Sequence, residues 1–348
     1  MSTAPISASE ESEARRNAWV LTAAGAFAGS LPSIAIALGG LAGSSLLGPD
    51  KSLSTLPVSF FIVGGAVGAW PAALLMGRIG RRSGFITGST AGIAGGLVAG
   101  LAVLFGSFIL FCAGMAMAGL ANAFVQQYRF AAADSGSPAL RARAISWVMA
   151  SGIAAAVIGP QLMILTRDSF APIPFVGSFF GMSGLALIGM LILFGLTGAA
   201  KLPPPVAARG GGRPLGAIIR QPRFIVALVC AIGSYGMMNL VMTAAPLAII
   251  ACGFGQDTVA LGIQWHVVAM FGPSFFVGAL MARFGKETII AVGLLLQAAC
   301  AAVALSGIEV ANFWGALVLL GVGWNFGFIG STAMLTETYR PEERSRVQ

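Results

Sequence analysis

The sequence predicts an all-α protein that crosses a membrane about ten times, and three observations carry that expectation. The chain is 57% hydrophobic and 9% charged, with a mean hydropathy of +0.88, more apolar surface than a soluble core can hide. Apolar runs long enough to cross a hydrocarbon layer about 30 Å thick, each needing roughly 20 residues, recur from end to end. Lys and Arg cluster on alternate loops.

The first run, Ala18–Leu41, follows a polar segment carrying Glu10, Glu11 and Glu13 and lacks a cleavage pattern, so it is read as its own insertion signal. Leu56–Met76 is the second span and ends at a basic loop. Phe85–Phe105, the third, carries Gly92, Gly96 and Gly100 at the spacing that lets helices approach closely. Phe108–Ala133, Ala144–Leu165 and Phe175–Ala199 complete six spans. The longest connection, 201–223, is rich in Pro, Gly and Arg and separates them from Phe224–Cys252, Val259–Ala282, Thr288–Gly307 and Phe313–Leu335. None of these runs alternates polar and apolar residues as a barrel strand does.

With the N-terminus in the cytoplasm, all of the twenty Lys and Arg except Lys51 and Arg167 lie at the inner side. That bias predicts a multi-pass inner-membrane protein with both termini cytoplasmic. It also accounts for a pI near 10.0 without nucleic acid, because the cations are scattered between spans and not gathered into a patch. Cys112, Cys230, Cys252 and Cys300 lie within apolar segments without ligand spacing and read as small packing residues.

The chain repeats itself. Asn122 falls on Asn325, Asp134 on Glu337, Pro138 on Pro341, Arg141 on Arg344 and Arg143 on Arg346, all at an offset of 203 residues. Arg78-Ile79-Gly80-Arg81 after span two likewise matches Arg283-Phe284-Gly285-Lys286 after span eight. The expected organisation is a tail over 1–16, a six-helix bundle over 17–200, a linker over 201–223 and a second bundle of four spans over 224–348.

Two parallel six-span repeats, with a Gly-x-x-x-Asp-Arg-x-Gly-Arg-Arg loop after span two, resemble the major facilitator superfamily. Here Arg78, Gly80, Arg81 and Arg82 match that loop, while Ala73 and Gly77 stand at its leading Gly and its Asp. In the second half Gly278, Arg283, Gly285 and Lys286 match, and Ala282 stands at the acid position. Gly152 and Gly159-Pro160 in span five are similar to a signature of drug and metabolite antiporters, without the Gly pair that follows it. The resemblance implies a helical bundle with about 10 of the family's 12 spans, the chain stopping before the last two. It implies a secondary transporter of a small metabolite or drug, working by alternating access, with proton-coupled efflux as one form.

Asp134 and Glu337 are the carboxylates available to pair with Arg78, Arg81, Arg82, Arg283 and Lys286, around Gly80 and Gly285, as a cytoplasmic gate. Anchoring at lipid headgroups is the alternative. Polar residues within spans should face a cavity or another helix. The substrate candidates are Asn122, Gln126 and Arg129 on span four, Asn325 on span ten, Gln161 with Trp147 on span five, and Tyr235 and Asn239 on span seven. Interhelical hydrogen bonding competes with substrate binding for each amide. His266, the single histidine, is a proton-carrier candidate, with a hydrogen-bonded packing role as the competing reading.

No metal-ligand cluster, nucleophile with an adjacent base or phosphate loop is visible, so no enzyme and no cofactor are expected. The expected partners are a small-molecule substrate, lipid and, among the open couplings, protons; the chain is expected to act as a monomer. A membrane receptor or assembly protein without flux, or an inactive fragment, is the rival class.

Overall fold

The computed structural model describes residues 8–132, 136–197, 213–340 and Glu343, and every described element is helical. Among the described residues, nine helices or continuous helix pairs are long and apolar enough to span a membrane, or ten when a bent pair is taken as one span. In lipid, helices satisfy their own backbone groups, which is why these apolar runs become helices.

Helices α1 (Ala8–Ala28) and α2 (Leu31–Leu46) form the first span, broken at Gly29-Ser30. It starts within the segment expected to be a tail, since Glu10 and Glu11 sit in the first turn where the helix dipole favours acid. The next are α3 (Leu56–Ile79), α4 (Arg81–Leu104), α5 (Phe108–Val125), short α6 (Tyr128–Ala132), α7 (Pro138–Thr166) and α8 (Val176–Leu193). Span six therefore ends short of the expected Ala199, and span four is divided at Gln126-Gln127. Short α9 (Leu215–Ile219) precedes α10 (Pro222–Ala251).

The eighth span is α11 (Gln256–Phe271), a 3-10 turn and α12 (Val277–Phe284), bent by 55°. Pro273 sits in the turn, where it cannot donate a backbone bond. Helix α13 (Lys286–Leu305) follows. The tenth span is α14 (Val310–Trp324), a π-helical segment over Asn325–Ile329 and α15 (Gly330–Leu335).

The chain forms two compact units, one of Met1–Pro203 with Pro246–Gln264, the other of Pro204–Ala245 with Trp265–Gln348. In unit one, α5 packs between α3 and α4 on small residues. A Cβ on Gly119 would stand 1.9 Å from the Phe61 carbonyl oxygen, and one on Gly64 2.3 Å from that of Ala116. Lipid tails are as apolar as leucine, so close backbone approach and interhelical hydrogen bonds hold such helices together. Ser183 Oγ donates to the Ile93 carbonyl at 2.9 Å, and Ser30 Oγ to that of Ala155 at 3.2 Å. In unit two, Gln297 Nε2 reaches the Ser234 carbonyl at 3.0 Å and its hydroxyl at 3.1 Å.

Candidate functional site

The duplicated basic loops have the same backbone. Gly80 joins α3 to α4 at φ 84°, ψ 163°, and Gly285 joins α12 to α13 at φ 85°, ψ 154°. Essentially only glycine adopts that region. Each glycine lets the chain leave one helix and enter the next without a loop, which sets its basic neighbours at the end of those two helices in its own unit.

In unit one, Arg78 is exposed and Arg81 half-buried, and Arg82 donates to the Phe194 carbonyl at 3.1 Å with its guanidinium 5.9 Å from that ring. Asp134, the expected partner, lies outside the described residues. In unit two the expected acid and base meet. Lys286 Nζ pairs with Glu337 Oε1, while Arg223 lies 3.0 Å from Glu337 Oε2 and 2.6 Å from Glu287 Oε1. Lys286 and Arg223 hold the Glu337 carboxyl below its usual range, the hydrogen bond from Lys286 contributing most. Arg283 stands outside these pairs, exposed, 5.1 Å from the Phe284 ring. Sequence reasoning missed Arg223 and Glu287; the signal for Glu287 was its place beside Lys286.

A second clasp ties the segment before α10 to the chain after α15. Arg213 donates through Nε and a terminal nitrogen to Glu343 at 3.0 and 2.8 Å, and to the Thr338 carbonyl at 2.9 Å. Backbone N–H groups of Arg213 and Arg340 also reach Glu343. Arg213 first, then these amides, hold that carboxyl at about 2. The counterpart in unit one is Glu11, which accepts from the N–H and hydroxyl of Ser137 at 2.8 and 2.6 Å.

The polar residues within spans divide. Asn122 is half-buried on α5, Gln126 is exposed at the break, and Arg129 on α6 is half-buried, 4.8 Å from the Phe130 ring, with an Nε that meets no hydrogen-bond partner. Asn239 donates to the Tyr235 carbonyl at 3.0 Å one turn back on α10. Tyr235 is 40% exposed and its ring lies 5.4 Å from that of Phe328, which stacks on Trp324 at 5.0 Å.

Three candidates are engaged inside the protein instead of standing open. Gln161 donates to Gln264 Oε1 at 2.9 Å. Asn325 is fully buried and gives its amide hydrogens to the Met270 carbonyl at 2.7 Å and Ser274 Oγ at 2.8 Å, splinting the broken eighth span. His266 is buried, with Nδ1 2.8 Å from the Leu317 carbonyl and Nε2 without a partner. Trp147 stacks on Trp19 at 4.7 Å.

The sequence that folds into this helical frame matches the family model of the Major Facilitator Superfamily over residues 18–348. The chain belongs to that superfamily. It is 49% identical over 335 residues to the riboflavin transporter RfnT of Brucella anthropi, covering 96% of this chain and 84% of the relative. It is 31% identical to the uncharacterized MFS-type transporter YddS of Bacillus subtilis, covering 92% of this chain and 77% of the relative.

Among solved structures, a bacterial homolog of the human lysosomal transporter Spinster, inward-facing and unoccupied, aligns at a TM-score of 0.71 with 16% identity. It covers 96% of this chain and 78% of that one. The xylose transporter XylE of E. coli, partially occluded and inward-open, aligns at 0.66 with 12% identity over 94% of this chain and 85% of that one. At such identities these likenesses speak for the fold. As a Major Facilitator Superfamily member the chain is a multi-pass membrane transporter of a small molecule and not an enzyme.

Proposed function

We propose that this chain carries riboflavin, or a flavin close to it in size and polarity, across the inner membrane by alternating access with both termini in the cytoplasm. The observation that carries the substrate is the 49% identity to RfnT over 96% of this chain. Flavin chemistry suits the polar residues left open. A flat heteroaromatic ring stacks on an aromatic face, and its imide edge and polyol chain exchange hydrogen bonds with amides. Within unit one Asn122 and Gln126 offer amides, and within unit two Asn239 offers an amide and Tyr235 a ring. Arg129, with an unused Nε, supplies a cation for a carbonyl or for an anionic group.

The gate assignment rests on charges that can re-pair. Glu337 holds Lys286 and Arg223 at the basic end of unit two, and Arg78, Arg81 and Arg82 occupy the equivalent turn of unit one. Breaking and remaking such pairs biases a two-state equilibrium. His266 is the proton-coupling candidate, through its unpartnered Nε2.

The test is rescue of a riboflavin-requiring bacterium that lacks its own uptake system, on limiting riboflavin, with and without an ionophore. Growth on expression of the chain supports import, and loss of growth with the ionophore supports coupling. No growth with the chain present in the membrane contradicts import of riboflavin.

A further inference from the structure

Beyond the basic end, the opposite end of unit one holds a contact that the transport reading leaves unassigned. Helix α10 contains Pro246, whose missing N–H leaves the Met242 carbonyl without its helical partner and makes this a place where the helix can bend. The unit boundary falls at that proline, so Pro246–Gln264, which includes the last turns of α10 and the first turns of α11, belongs with the N-terminal helices. Two polar contacts hold this segment to α7. Arg167, at the end of α7, pairs with Asp257 in the first turn of α11 and with its neighbour Asp168 at 2.9 Å. Further along, Gln161 Nε2 donates to Gln264 Oε1 at 2.9 Å.

The register makes the two contacts a ladder. Asp257 and Gln264 are seven residues apart, two turns on one face of α11, about 10 Å along its axis. Gln161 and Arg167 are six apart on α7 and span about 9 Å. The two chains run oppositely, so 161 meets 264 and 167 meets 257. The backbone of Arg167 is itself fixed, since its carbonyl accepts from the Phe175 N–H at 2.9 Å across the loop that leads to α8. The Arg167 side chain is 24% exposed and that of Asp257 54%, so the ionic rung is wet and can exchange. The amide rung is neutral and tolerates the apolar interior.

We propose that Arg167–Asp257 and Gln161–Gln264 are the two rungs of a latch that closes the end of unit one opposite its basic loop at Gly80. The latch opens by releasing the ends of α10 and α11 beyond Pro246. This rests on the transport reading above, because a latch has meaning only in a chain that alternates between two accessible faces. Within unit one the basic loop at Gly80 then lies at one end and this ladder at the other. Arg167, one of the two cations expected away from the cytoplasm, acts here as a positioning residue and not as a substrate ligand.

The test replaces the four native cysteines and introduces Gln161→Cys with Gln264→Cys, joined by a short bifunctional methanethiosulfonate that a reductant cleaves. Cross-linking is read on a gel and needs no substrate, which separates this proposal from the choice of cargo. The expected result is efficient cross-linking that D257N slows about threefold, the scale of a wet ion pair, and that the R167D/D257R exchange restores. Riboflavin flux stops on cross-linking and returns on reduction. Absent cross-linking, a rate indifferent to D257N, or flux that continues through the cross-linked chain overturns the latch. Efficient, D257N-sensitive cross-linking in a chain that moves no riboflavin supports the latch and contradicts the proposed cargo.

Discussion

Glu337 serves two cations at once: one carboxylate oxygen takes the Lys286 ammonium, and the other lies 3.0 Å from the Arg223 guanidinium. Glu337 is 40% exposed and Arg223 52%, so this network contributes little to stability, about 0.2–1 kcal/mol per pair. Under the proposed gate its weight falls on the balance between conformations. E337Q is therefore expected to leave the melting temperature in detergent within a few degrees of the parent while changing the initial transport rate about threefold or more. E337D, which keeps a carboxylate for both cations, is expected to hold the rate closer to the parent than E337Q. Equal rates in parent and E337Q would show that the network is an anchor only.

Glu343 links to pH differently. Its carboxyl is held at about 2 in the folded chain, against about 4.3 in an unfolded one. A depressed carboxyl stabilises above the unfolded value and loses that contribution as pH falls through the folded one. Thermal stability in detergent is expected to fall progressively between pH 4.3 and pH 2, and E343Q to flatten that part of the profile. An unchanged slope in E343Q would remove Glu343 from the account of acid sensitivity.

Gly80 and Gly285 make a symmetric prediction. Any side chain at φ 84° or 85° with these ψ values costs about 1–3 kcal/mol, so G80A and G285A each lower stability by that amount. The residues lie in different units, and the double variant is expected to show the sum. Denaturant titration of the three variants measures it.

Gly119 has no space at all. A methyl group there meets the Phe61 carbonyl oxygen at 1.9 Å, a backbone atom that moves only if α3 and α5 separate. G119A is expected to cost about 1–3 kcal/mol and G119V more, seen as lost membrane-inserted protein and a lower melting temperature. Gly77, whose Cβ would meet nothing within 4 Å, is the matched control.

Helices were legible in the sequence because a lipid-spanning run needs only length and apolarity, and among the described residues each of the ten runs is mainly helix. Breaks within runs were not. Hydropathy is blind to a backbone that changes pitch inside an apolar stretch, so the turn at Pro273, the π segment at Asn325 and the division at Gln126-Gln127 went unseen. Pro273 stood in view as a cue. The repeat pointed to Lys286 and Glu337 independently, and the structure brings them together. Gln161 and Gln264 are 103 residues apart with no repeat to relate them, and a polar residue in a span announces burial without naming its partner. That is why the sequence leaves interhelical hydrogen bonding open beside binding for Gln161 and Asn325, and packing open beside proton carriage for His266, without naming the partners their hydrogen bonds reach.

Flavin transport by this chain is tested most directly by purifying it into liposomes and following riboflavin across the bilayer. Saturable flux above protein-free liposomes, suppressed by excess unlabelled riboflavin and reduced in N122A and N239A, is the predicted result. Riboflavin that binds the purified chain without crossing, or flux no faster than in empty liposomes, contradicts it.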